Sequence, residues 1–128
     1  MIRDAIMQAQ EMARRAQEAT YDGLCTVFEY QEVRDAKTKL SSEKEVAVIE
    51  DQPCKLSFEK LTTASQTETA AVAAQGIKLF LAPEIMVDSN SKIVVTQNGV
   101  TEEYSASGKP AVYSTHQEIT LELFRGWA

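Results

Sequence analysis

The N-terminal segment carries its apolar side chains at helical spacing. Ile2, Ala5, Ile6, Ala9, Met12, Ala13 and Ala16 recur at i, i+3 and i+4, which predicts a helix over residues 2–19. Glu11 and Arg15 form a favourable i,i+4 pair on its polar side. The stripe is narrow and alanine-rich. Such a helix can lie close against a sheet or a neighbouring subunit, but buries too little to stand alone. Asp22-Gly23 breaks it, and from Leu24 onward the apolar period becomes two. Leu24–Arg34, Lys44–Glu50 and Cys54–Glu59 read as strands, with Cys54, Leu56 and Phe58 alternating against Lys55, Ser57 and Glu59. Asp35–Ser42 is a polar turn region, and Asp51-Gln52-Pro53 reads as a break.

In Gly76–Ala82, Ile77, Leu79 and Leu81 alternate with Lys78 and Phe80, and Pro83 ends that strand. Asn98-Gly99 between Lys92–Gln97 and Val100–Ser105 is the signature of a two-residue type I′ hairpin. Its register sets Ile93 against Tyr104, Val95 against Glu102 and Thr96 against Thr101. Ser107-Gly108-Lys109-Pro110 reads as another turn. Gln117–Phe124 is a last strand, with Ile119, Leu121 and Leu123 inward. One helix and about six or seven strands predict a mainly β chain. The expected form is a small antiparallel barrel or sandwich, with the helix plugging or covering one side. Residues 1–128 are expected to form a single domain: helix 1–20, barrel 24–124 and a long inter-strand loop 60–75.

That loop, Lys60–Gln75, is small, polar and almost uncharged. A hairpin needs only about two to five residues to reverse the chain, and long loops in compact domains are functional or disordered. Ser65 and Glu68 have capping-box spacing. An alanine-rich run follows, with Gly76 where a C′ glycine belongs, so a short helix is expected in the second half. A helix of about two turns is firm only when docked. Lys60–Ala64 is expected to be mobile.

Composition narrows the function more than it defines it. The chain has 128 residues, enough for one real core. No apolar run approaches the ~20 residues of a membrane span. The start has no apolar h-region, so a cytoplasmic origin is expected. The net charge of −6 is diffuse, with no basic stripe. Ordinary phosphate-contacting nucleic-acid binding is therefore disfavoured. The helix charges balance, Arg3, Arg14 and Arg15 against Asp4, Glu11 and Glu18, which favours packing or assembly over a membrane surface.

Candidate chemistry is thin. Cys25 and Cys54 lack CxxC spacing and are expected as buried free thiols. His116 is the only histidine; any Ser/His/Asp or Cys/His mechanism must use it, and it reads as an ordinary satisfied or surface histidine. One histidine and two distant cysteines make a poor zinc set. The five glycines are scattered singly and form no phosphate loop. Glu50-Asp51 and Glu102-Glu103 are sequence neighbours, which in a strand face opposite ways. No catalytic residue, cofactor or metal is expected. Phe124 and Trp127 read as a hydrophobic anchor or interface patch. With Ile2 and Ile6 they are the candidate inter-subunit contacts.

Several blocks carry a resemblance: Thr20-Tyr21-Asp22-Gly23 with Cys25-Thr26-Val27-Phe28-Glu29-Tyr30; Asp51-Gln52-Pro53-Cys54-Lys55-Leu56-Ser57; Lys78-Leu79-Phe80-Leu81-Ala82-Pro83; and Pro110-Ala111-Val112-Tyr113-Ser114-Thr115-His116-Gln117-Glu118-Ile119. Together they resemble the head-closure (stopper, or head–tail connector) proteins of tailed phages and prophages of Gram-positive bacteria. The resemblance spans nearly the whole chain and contains no catalytic signature. It implies a small β-barrel that assembles as a ring, dodecameric by expectation, in the virion neck. Adaptor and portal proteins would lie above it, and tail-completion or tail proteins below. It also implies a long loop that projects into the channel and helps retain packaged double-stranded DNA without sequence-specific binding. Position and length match that loop to Lys60, Leu61, Thr62, Thr63, Ser65, Gln66, Thr67 and Glu68.

Two other readings stay open. A tail-completion or tail-terminator protein of the same neck has similar features. A small β-barrel module for nucleic acid or peptide is the other, although such barrels need a basic groove with stacking aromatics. Phe28, Tyr30, Phe58 and Phe80 lack nearby cation clusters in sequence.

Overall fold

The computed structural model describes residues 2–60 and 75–127. Helix α1 spans Ile2–Glu18. Six strands follow: β1 (Gly23–Arg34), β2 (Ser41–Lys60), β3 (Gln75–Leu81), β4 (Lys92–Gln97), β5 (Val100–Val112) and β6 (Gln117–Leu123). They close into an antiparallel barrel in the order β1-β2-β3-β6-β5-β4. This is the mainly β architecture with an N-terminal helix that the periodicity predicts.

Alternation fills the interior. Cys25 and Val27 of β1, Leu56 of β2, Leu79 and Leu81 of β3, and Ile93 and Val95 of β4 all point inward. Tyr104 of β5 and Ile119 and Leu121 of β6 complete the ring of core side chains. Each fully buried aliphatic side chain contributes about 1.5–3 kcal/mol. The β4–β5 hairpin has the predicted register, with Ile93 opposite Tyr104, Val95 opposite Glu102 and Thr96 opposite Thr101. Asn98 and Gly99 take φ of 53° and 77°, the left-handed pair a type I′ turn requires.

Two expected breaks are bulges inside continuous strands. Asp51-Gln52-Pro53 does not interrupt β2: Leu24 pairs with Pro53, Cys25 with Gln52 and Val27 with Ile49. Glu50 and Asp51 thus oppose the single residue Thr26. Asp51 absorbs the extra length at φ 49°, and its N–H donates to Thr26 Oγ1 over 3.4 Å. Pro53 is tolerated because β3 starts pairing with β2 only at Lys55, leaving the proline with one neighbouring strand. Likewise Ser107–Pro110 is not a terminal turn. Ser107 pairs with Thr120 and Ala111 with Glu118, so the chain bulges at Gly108 (φ 73°) and β5 continues to Val112.

The ends of the barrel also differ from expectation. Phe58 and Leu123 hold inward-phase positions, yet are 51% and 54% exposed, because their strands overrun the closed part of the barrel. Helix α1 does not plug it: none of its residues is buried. The plug is the β3–β4 connection. β3 and β4 stand opposite each other in the strand order, so residues 82–91 must cross the barrel mouth. Ala82 and Val87 are buried there, with Ile85 packed on the core. Gln117, 1% exposed, ties this crossing down. Its amide donates to Ala82 O over 2.8 Å and to Ile85 O over 2.5 Å.

At the opposite end a second glutamine closes the wall. β1 begins at Gly23, opposite Cys54, so β2 beyond that point has lost its partner. The Gln97 side chain replaces it: Leu56 N–H donates to Oε1 (2.8 Å) and Nε2 donates to Leu56 O (3.3 Å). Gly23 makes the room, since a Cβ there would lie 2.9 Å from Gln97 Oε1 and 3.1 Å from Cys54 O.

The β1–β4 pairing runs only from Leu24 to Phe28. Residues 29–34 and 41–46 therefore pair with each other alone and leave the barrel as a two-stranded ribbon. Its tip, Asp35–Leu40, is closed by Asp35 N–H to Leu40 O (2.9 Å) and Lys39 N–H to Asp35 O (2.8 Å).

Candidate functional site

The residues expected to form a channel loop start from a firm base. Lys60 of β2 pairs with Gln75 of β3, at the barrel end that also holds the α1–β1 junction and the Asn98-Gly99 turn. Leu61, Thr62, Thr63, Ser65, Gln66, Thr67 and Glu68 lie outside the described residues, as do the expected short helix and capping box. Of the candidate contact residues, Ile2 and Ile6 stand on the solvent side of α1, 82% and 53% exposed. The helix is tethered near its C-terminal turn, where Arg14 bonds both Glu18 (2.7 Å) and Glu84 of the β3–β4 crossing (2.5 Å).

Phe124 and Trp127 are placed elsewhere, on the chain's own barrel. After β6 the chain crosses the outer faces of β5 and β4, beginning with Phe124 N–H to Glu103 O (3.1 Å). Trp127 stacks on Tyr30 of β1 with centroids 5.2 Å apart and planes 10° from parallel. It meets Phe124 edge-on at 5.3 Å, and its indole N–H donates to Glu45 Oε1 over 3.2 Å. Beneath this strap lies Lys92. Its ammonium contacts Glu103 (2.6 Å) and Glu45 (2.8 Å) and sits over the rings of Phe28 (5.4 Å) and Phe124 (5.1 Å). Burial alone would lower the Lys92 pKa, but the Glu103 and Glu45 carboxylates outweigh it and raise the value. The strap covers the seam between β4 and β1 at which the barrel closes.

Against the strap opens a shallow groove of about 700 Å³, walled by the root of the ribbon, residues 88–91 and residues 122–127. Glu29 and Asp88 face each other there. The hydrogen bond to Asp88, partial burial and charge repulsion together lift Glu29 above the usual carboxylate range. Glu122 adds a third carboxylate to the wall and Arg125 a cation. Ser91 also lines the groove. It is 3% exposed, and its Oγ has no partner among the described residues.

The remaining candidate chemistry is satisfied structurally. His116 Nδ1 lies 2.9 Å from Thr115 Oγ1 and Nε2 2.9 Å from Glu118 Oε2. The ring stacks on Tyr113 with centroids 5.0 Å apart. This is the ordinary histidine the sequence suggested, and its bond to Glu118, helped by Lys78, holds that carboxyl below its usual value. Cys25 and Cys54 are free and buried. The bond to Cys54 and burial push the Cys25 thiol well above its ordinary value, which makes it unreactive. Glu103 is drawn to Lys92, Glu102 bonds the Glu103 N–H (3.2 Å), and Asp51 is the bulge residue. Among the described residues no group of three or more His, Cys, Asp or Glu side chains is placed to hold a metal ion, and no helix is long and apolar enough to cross a membrane.

The strap predicts an acid-sensitive signal. The Lys92 ammonium, seconded by the Trp127 N–H, holds the Glu45 carboxyl below its ordinary value against partial burial. A carboxyl lowered by folding contributes stability that is complete above its unfolded pKa and is lost as pH falls through the folded value. Trp127, the only tryptophan, should therefore keep its emission from neutral pH down to the ordinary Glu range near pH ~4, then shift to the red below it. Glu45→Gln should flatten that transition. Glu29 acts with opposite sign: its raised value favours the fold in acid, and that contribution fades as pH rises.

No family model and no curated protein matches the chain. Among solved structures it is similar to the phage-like element PBSX protein xkdH from Bacillus subtilis. The two are 10% identical, with 78% of this chain and 91% of that chain covered and a TM-score of 0.46. A likeness that loose carries no argument about function.

Proposed function

We propose that the chain is a structural assembly protein of a phage neck. In this reading it is a head-closure or stopper subunit, forming a ring between the portal–adaptor complex and the tail, and not an enzyme. The observation that carries the assembly reading is α1. It is a seventeen-residue amphipathic helix with no buried residue, held on a closed barrel by a polar tether at its far end. An apolar stripe left in water is unfavourable unless a partner covers it. Ile2, Ile6 and Met12 stand out on that stripe, all more than half exposed. The sequence resemblance to head-closure proteins supplies the identity of the assembly. The absence of a basic stripe in an acidic chain suits a channel wall that DNA passes without adhering. Segment 61–74, rooted by β2 and β3, is on this reading the part that faces the channel and retains DNA.

The test is genetic. A phage or prophage lacking this gene should accumulate heads that fail to join tails and lose their DNA. Complementation with a chain lacking residues 61–74 should restore joining but not DNA retention. Normal filled, tailed particles from the gene deletion would end the neck reading. Normal retention with the shortened chain would end the channel role of the segment alone.

A further inference from the structure

The ribbon ends in cations and the groove at its root is lined by carboxylates. The tip carries Arg34, Lys37 and Lys39 against one acid, Asp35. The Asp35 carboxylate is already engaged, accepting the Lys37 N–H over 2.8 Å as part of the turn. Among the described residues none of the three tip cations has an ion-pair partner. Leu40, beside them, is 70% exposed. At the root, Glu29, Asp88 and Glu122 line the groove with the single cation Arg125. Glu29 and Asp88 line it together, close enough for their charges to repel, which an incoming cation would relieve.

The tip cannot reach its own groove. Glu29 and Arg34 lie on one hydrogen-bonded strand, and five residue steps at ~3.4 Å put the tip about 17 Å from the root. The antiparallel pairing of 29–34 with 41–46 keeps that segment extended. A tip that met such a groove would therefore belong to a different molecule.

We propose that the Arg34–Leu40 tip of one chain docks in the Glu29–Asp88–Glu122 groove of a second copy. Lys37 and Lys39 meet the carboxylates, and Leu40 packs toward the Tyr30–Trp127 wall. Tip and groove are different surfaces, so the contact is heterologous and each copy offers one of each. A contact of this kind generates a ring when its rotation closes. It deepens the neck reading and rests on it only for the claim that the assembly is a ring. Charge pairs of this sort steer and select the partner as well as bind it.

The test uses charge reversal in the full chain. Wild-type protein should self-associate in sedimentation velocity at low salt, and the association should weaken as salt rises. Lys37→Glu with Lys39→Glu should weaken it at least ~10-fold, a loss of about 1.4 kcal/mol. Glu29→Lys with Asp88→Lys should do the same. Circular dichroism on each double variant checks that the barrel is intact. Mixing the two variants should restore association, because each reversed tip now faces a reversed groove. Trp127 emission should change on association, since its ring lines the groove. A wild-type chain that stays monomeric at millimolar concentration in low salt overturns the proposal, as does failure of the mixed variants to associate. Salt-sensitive association rescued by mixing, in a protein absent from the virion neck, would keep this surface and remove the neck reading. A neck ring whose tips sit away from their neighbours' grooves would do the reverse.

Discussion

Gln117→Leu is expected to cost about 2–4 kcal/mol and to lower the melting temperature by roughly 10 °C. Leucine fills a similar volume, so the loss isolates the amide. That amide is the donor for two carbonyls, Ala82 O and Ile85 O, in the segment that crosses the barrel mouth. A buried acceptor stripped of its donor costs about 1–3 kcal/mol. The effect should also be local first. Val87 and Ile85 hang from the crossing and pack on the core, so a loosened crossing admits water to one end of the barrel. Hydrogen exchange should show Ile85 N–H, which bonds Ala82 O (3.3 Å), opening ahead of the β4–β5 hairpin. A variant as stable as wild type would mean that the crossing is held by packing alone.

The second large effect is expected at Lys92. Lys92→Met keeps the length and apolar stem but removes the charge. Glu45 and Glu103 would lose their shared cation, and Phe28 and Phe124 the ammonium between them. The pairs are partly screened, because Glu45 and Glu103 are exposed by about a third and a half at their side chains. A loss of about 2 kcal/mol is expected, between an exposed and a buried pair. Trp127 reports it directly: with Glu45 no longer held by Lys92, its stacking on Tyr30 should weaken and its emission move to the red before global unfolding. Lys92→Arg should retain most of the stability. An unchanged emission in Lys92→Met would show that the aromatic stack alone holds the strap.

Local signals in this chain survived folding, and long-range ones did not announce themselves. The Asn98-Gly99 register was readable because a two-residue turn dictates which residues face each other. The Leu79 and Ile119 core positions were readable because burial follows strand period. The Asp51 and Gly108 bulges looked like breaks, since a bulge is defined by the partner strand and not by the residues that form it. Phe58 and Leu123 kept the inward phase but lie where the barrel wall has ended. The sequence predicts a helix that plugs or covers one side of the barrel; topology makes residues 82–91 the plug instead, because β3 and β4 fall on opposite sides of the ring. The groove was illegible for the same reason. Glu29 and Asp88 belong to distant segments, and only the crossing brings them together. Trp127 reads in sequence as a hydrophobic anchor or interface patch, but nothing in sequence points to Tyr30, Glu45 or Lys92 as what it covers.

Where the protein sits in the virion tests the neck role most directly. A cryo-EM map of the virion neck resolves that in one measurement. The prediction is a ring of six-stranded barrels between the portal–adaptor complex and the tail, with α1 packed on neighbouring protein and the β2–β3 connections directed to the channel. Density for this chain inside the capsid or within the tail tube, with the neck position filled by another protein, would contradict it.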